Sequence, residues 1–267
     1  MMTDILYAEF VKFKGMFKRY YVDSIAEIIS YLILFSGLTY AVVIKNNSDN
    51  NIVAQLLIGI FVWYIGINAI AIFTFILQEE MQLGTLEQIY LTKTNLSLML
   101  MGRAIATFIF DAIGGIILTS GTLLFIFVFS PNLIKGHFNL MPLINPLMII
   151  ILILTMLGIY GFSFLLAGLS IIFKRISAIT VILNYIFLFF TGVLVSGNNL
   201  PYALDTFSKC LPITWGIINI NGLFNDSFSY IDLLGLFINT SLYFSVGIIT
   251  FNRMTYYARK KGSLNQY

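Results

Sequence analysis

Long apolar runs and short polar breaks alternate from one end of the chain to the other. Runs long enough to cross about 30 Å of hydrocarbon, roughly 20 residues each, occupy 23–44, 52–77, 103–129, 143–173, 176–196 and 231–252. The pattern predicts six transmembrane helices in a single all-α integral membrane domain covering 1–267. Several runs exceed the minimum, so tilted or projecting helices are expected. Ahead of the first span, over residues 1–22, Leu6, Phe10, Phe13 and Phe17 share one helical face, with Lys12, Lys18 and Arg19 opposite and Lys14 at the flank. That is the pattern of an amphipathic helix lying in the headgroup plane with its basic side chains turned to lipid phosphates. A disordered basic tail is the other reading.

Composition narrows the class. The chain is 59% hydrophobic and 10% charged, with a mean hydropathy of +0.92. Soluble domains carry about 25% charged residues, so a soluble domain with one anchor is excluded. The cationic side chains set the orientation. With the N-terminus inside, the inner segments hold Lys12, Lys14, Lys18, Arg19, Lys93, Arg103, Lys174, Arg175, Arg253, Arg259, Lys260 and Lys261, and the outer ones only Lys45, Lys135 and Lys209. Both termini are therefore expected in the cytoplasm, with the chain in a cell membrane, a bacterial plasma membrane in the simplest reading.

The polar break at 79–95 is too long for a plain connector, which needs only a few residues. Gly84 supplies a bend, Thr85 and Gln88 fit a capping box, and Leu83, Leu86 and Tyr90 recur at spacings of three and four, as one apolar helical stripe. This predicts a short surface helix that docks on another protein, with Glu79, Glu80 and Glu87 either meeting a basic groove or forming a solvated face. Between 197 and 230, Pro201, Asp205, Lys209, Pro212 and Asp226 divide an apolar stretch into two pieces too short to cross. A helical hairpin dipping into the outer leaflet fits better than a seventh span. Pro212 is expected at the start of its second helix, and Trp215 near the outer interface.

These features carry a family resemblance. Glu79-Glu80-Met81-Gln82-Leu83-Gly84-Thr85-Leu86-Glu87-Gln88, Phe190-Thr191-Gly192 to Ser196-Gly197, Leu200-Pro201 and Leu211-Pro212-Ile213-Thr214 resemble the permease subunit of ABC type 2 transporters over nearly the whole chain. Lys93-Thr94-Asn95 stands where many members carry a proline, and the arginine that many carry before Gly84 is absent. The resemblance implies an exporter built from two permease chains, identical or not, and two copies of a separate ATPase, with the substrate path between the permeases. It implies that Glu79, Glu80, Gly84, Thr85, Leu86, Glu87 and Tyr90 form the coupling region. ATP and Mg²⁺ would be held by the ATPase, because this chain has no GxxxxGK[ST] loop and is not itself expected to be an enzyme or to hold a cofactor. One cysteine and one histidine leave no metal cluster, and nothing points to a nucleic-acid partner.

Asp111 is the most unusual residue. It falls about two turns into the third span, where a carboxylate by default faces the protein interior or water. Asn68, Asn184 and Asn239 are candidate polar partners; Asp111 either lines the substrate path or senses protons, or it serves structural hydrogen bonding between helices. Arg19, Asp23 and Glu27 recur every four residues; on a continuous helix Arg19 and Asp23 could pair, and Glu27, one turn deeper, either faces the chain's interior as an intramembrane polar candidate or belongs to an interfacial brace between the in-plane helix and the first span. Glycines at 114, 115 and 121, and at 158, 161 and 168, suit close helix approach. Tyr residues near span ends fit interfacial belts. His137 reads as a surface residue, and Cys210 as a buried free thiol rather than a crosslink between copies. The expected substrate is an amphiphilic drug, antibiotic, peptide or lipid. The alternatives are a lipid-linked polysaccharide or teichoic-acid-type polymer, and an ion-coupled carrier or channel that uses Asp111 without an ATPase.

Overall fold

Residues 2–45, 50–91, 95–129, 145–173, 176–193 and 201–260 are described by the computed structural model, and every regular element among them is an α-helix. In chain order these are α1 Met2–Arg19, α2 Tyr21–Lys45, α3 Asn50–Gln82, α4 Thr85–Leu91, α5 Leu96–Phe129, α6 Pro146–Phe173, α7 Ser177–Phe190, α8 Tyr202–Lys209, α9 Thr214–Phe224 and α10 Tyr230–Lys260. Five of them, α2, α3, α5, α6 and α10, are long and apolar enough to cross a membrane. The protein is multi-pass. Helix α7 is also apolar, but its 14 residues span only about 21 Å at 1.5 Å per residue. The predicted run to 196 continues into 194–196, outside the described residues.

The bundle is organised around α3, the most buried span. Ile60, Ile65, Ile67, Ile70 and Phe73 are fully enclosed, and α5, α6, α7 and α9 all pack on this helix. The closest pairing joins α6 to α10. A β-carbon built on Gly247 would lie 2.0 Å from the carbonyl oxygen of Gly161, and one on Gly161 would lie 2.4 Å from the amide nitrogen of Phe244. Helices inside lipid gain nothing from leaving water, so contact between backbones supplies the packing, and small residues permit it. Thr240 adds a hydrogen bond across the pair, donating to the Leu154 carbonyl at 3.0 Å.

Two ends can be distinguished. At one, α4, the last turns of α3, the start of α5 and the end of α10 meet around an apolar cluster holding Leu77, Met81, Leu86, Leu100 and Ala258, and α1 packs on α5. At the other, a cleft collects Gln55 near the start of α3, Thr191 after α7, Asn225 after α9 and Asp232 in α10, and Gln55 donates to Asn225 at 2.7 Å.

Several expectations need correction. Helix α3 does not stop at 77 but runs to Gln82, so Glu79 and Glu80 belong to its last turn. Backbone hydrogen bonding carries a helix through polar side chains that find partners, as Glu80 does. For the same reason α5 starts at Leu96 and α10 runs on to Lys260. Helix α1 ends at Arg19 and a bend at Tyr20 separates it from α2, so Arg19 lies over the Tyr20 ring at 5.7 Å and no Arg19–Asp23 ion pair forms among the described residues. Pro212 precedes α9 by two residues, in the turn that leads into it. Cys210 is exposed, not buried. The predicted positions of His137, Lys45, Lys93, Lys135, Lys174, Arg175, Lys261, Ser196, Gly197 and Leu200 lie outside the described residues or have undescribed side chains.

Candidate functional site

The α1/α4 end gathers the charged side chains. Gly84 turns the chain out of α3 with φ +69°, a left-handed conformation that glycine adopts without steric penalty. The turn brings Thr85, first residue of α4, back beside Glu80. The Thr85 hydroxyl donates to the Glu80 carboxylate, which ties the start of α4 to α3. The same carboxylate accepts from Lys12 Nζ at 2.8 Å. Glu80 is buried while Lys12 stays half exposed.

One turn earlier on α1, Glu9 accepts from Arg103 Nη1 at 2.7 Å. Arg103 is only 2% exposed, and its Nη2 faces the Met16 sulfur at 3.5 Å. The aromatic face of α1 is engaged as well. Phe10, Phe13 and Phe17 close around Phe110 of α5, with ring centroids 4.9–5.8 Å apart. The helix expected to rest on lipid thus lies against α5 by its rings, and Lys12, expected to face lipid phosphate, bonds Glu80. A buried ion pair adds little net stability over an apolar pair, but it fixes register, since either charge left alone is costly.

Leu86 is the fully enclosed anchor of helix α4 among its described side chains, and Ile89 packs beside it. Leu86 is 1% exposed, packed in the cluster shared with α3, α5, α6 and α10. Leu83 does not share its stripe. It precedes the Gly84 bend, outside α4, and stands 67% exposed; Leu91 at the far end is 79% exposed. The backbone of Glu87 and Tyr90 belongs to α4, but their side chains lie outside the described residues. Glu79 keeps one buried carboxylate oxygen without a hydrogen bond. Lys12→Met should loosen α1 by about 1 kcal/mol, the scale of a partly exposed pair. Faster protease cleavage within α1, with unchanged melting of the bundle, would show it.

A second polar group lies within the spans. Asp111 on α5 has a buried carboxylate oxygen without a hydrogen-bond partner. Asn68 of α3 is beside it and beside Tyr64, and Glu27 of α2 is within electrostatic reach and beside Tyr31. The Tyr64 hydroxyl is pressed against α5 where Gly114 leaves room: a β-carbon there would lie 2.7 Å from it. Glu27 itself keeps an exposed edge. Asn184 and Asn239 each keep a buried, unbonded side-chain oxygen, and the Asn184 carbonyl accepts from Trp63 at 3.3 Å.

The sequence pattern passes over Glu9, assigns Lys12 to the lipid headgroups and to topology, and assigns Arg103 to topology alone. A faint signal existed: Glu9, Lys12 and Met16 recur at three and four, a second stripe beside the aromatic one. No protein-family model matches the chain, and a search of the curated proteins finds no match.

Proposed function

We propose that the chain is the membrane-spanning permease subunit of an ATP-driven exporter, in which a separate ATPase pushes on α4. In this reading α7 and the residues after it complete a sixth crossing, α8 and α9 form the outer hairpin, and both termini face the cytosol. Two permease chains enclose the substrate path, and the substrate is an amphiphilic drug, antibiotic, peptide or lipid. The observation that carries the reading is the seating of α4. Leu86 and Ile89 seat it in an apolar cluster to which four spans contribute, while Leu83, just before the Gly84 bend, and Leu91 at its far end stand bare. A short helix seated this firmly transmits displacement, and its exposed leucines suit a shallow groove on a partner protein.

The test uses those outer leucines, because changing Leu86 would disturb the core. Leu83→Ser with Leu91→Ser is expected to abolish co-purification of an ATPase from the native membrane while the permease stays folded and inserted. Retention of the ATPase at the wild-type level would remove the coupling assignment. Asp111 favours a second reading, an ion-coupled carrier that needs no ATPase, because its unpaired carboxylate oxygen and nearby Glu27 resemble a proton or cation site. Under that reading Asp111→Asn abolishes transport by the purified chain in vesicles lacking nucleotide. Under the first, such vesicles transport nothing whether Asp111 is present or not.

A further inference from the structure

Helices α5 and α6 both pack on α3 but barely on each other. The described hydrogen bond across the seam is Tyr160 of α6 donating to the Ala104 carbonyl of α5 at 3.2 Å. Beside it lies a cavity of about 580 Å³, and farther along the same seam a second of about 440 Å³. Phe61 of α3 and Leu152 of α6 line both, so the two adjoin along the seam.

The space offers nothing to water. The Tyr160 proton is already donated, and Thr119 and Ser120 at the far end donate to carbonyls of their own helix. A cavity without free polar partners stays dry. Its mouth is formed by Ile105, Phe108, Ile149, Ile153 and Leu157, all exposed and continuous with the lipid-facing surface of two membrane spans. Along α5 the lining runs from Met101 to Leu123, about 33 Å at 1.5 Å per residue, close to the roughly 30 Å of bilayer hydrocarbon. A transmembrane helix of a second copy would not fit inside. A cylinder 10 Å across and that long displaces roughly 2,600 Å³, and the two cavities together hold less than half of it.

We propose that acyl chains of membrane lipids, one entering from each leaflet, lodge along the α5/α6 seam as a resident part of the fold. Each chain is thin and flexible and reaches across one leaflet, roughly half of the 30 Å, so two end to end match the length of the seam, and they supply the dispersion contacts that the facing side chains otherwise lack. They act as a wedge, setting the distance of α5, and of Arg103 near its start, from α6. The inference does not depend on which solute the protein moves or what drives it.

Photolabelling of the full chain tests it. The protein is reconstituted in phosphatidylcholine–phosphatidylglycerol vesicles containing a phospholipid with a mid-chain diazirine, irradiated, and its adducts mapped by peptide mass spectrometry. Adducts are expected at Phe61, Leu152 and Met156 several-fold above those at Ile33 and Ile238, exposed positions on α2 and α10. Leu152→Trp, which fills the junction of the two cavities, should lower seam labelling to the Ile33 level, and Ile33→Trp should leave it unchanged. Labelling no greater in the seam than at Ile33 and Ile238, or undiminished in a folded Leu152→Trp protein, would overturn the proposal. If Leu152→Trp does not fold, the wild-type adduct map decides alone.

Discussion

Replacing Glu9 with alanine should destabilise the protein by about 3 kcal/mol, the low end of the range for breaking a buried pair, because Arg103 would lose its hydrogen-bonded counter-ion and keep only the longer-range attraction of Glu80. Arg103 has almost no exposed surface, and its Nε is already without a hydrogen bond. Water cannot easily take over the role of the carboxylate. The loss should appear as a large fall in the midpoint of thermal unfolding in detergent. The double variant Glu9→Ala with Arg103→Met should recover most of it, since removing both charges removes the desolvation problem. Failure of the double variant to recover would mean that the pair does more than neutralise itself.

The second large effect is expected where α6 meets α10. Gly247→Ala places a methyl group 2.0 Å from a backbone oxygen, and a main-chain atom cannot swing aside as a side chain can. The helices must separate, at about 1–3 kcal/mol, and Gly247→Leu should leave no folded protein. Gly37→Ala is the control. A β-carbon there meets nothing within 4 Å, so removing a mid-helix glycine should be neutral or stabilising by about 0.5–1 kcal/mol. Equal melting temperatures for Gly247→Ala and Gly37→Ala would contradict the close approach.

The spans were legible in the sequence because the bilayer imposes a length: 20 or more apolar residues leave little choice of structure. The bend at Gly84 was legible too, because few residues other than glycine take its backbone angles readily. The stripe through Leu83 and Leu86 misled for the same reason: helical periodicity holds only while the helix is unbroken. The ion pairs of Glu9 and Lys12 were hidden. Their partners, Arg103 and Glu80, lie 94 and 68 residues away, and the pairing depends on how α1 is rotated against α3 and α5. The end of α3 was placed early because polarity was taken to end a helix, whereas Lys12 and Thr85 accommodate Glu80. Asp111 stood out as a charge in an apolar run, but only the fold selects Asn68 from its three candidate neighbours.

The glycine contact between α6 and α10 also bears on how the protein is made. The segments it joins are far apart in the chain, as the 86-residue separation of Thr240 and Leu154 shows. At translation rates of about 5–20 residues per second, α6 waits roughly 4 to 17 s in the bilayer before its partner is synthesised. During that interval a groove of bare backbone faces the lipid, open to the insertion machinery and to proteases that survey incomplete chains.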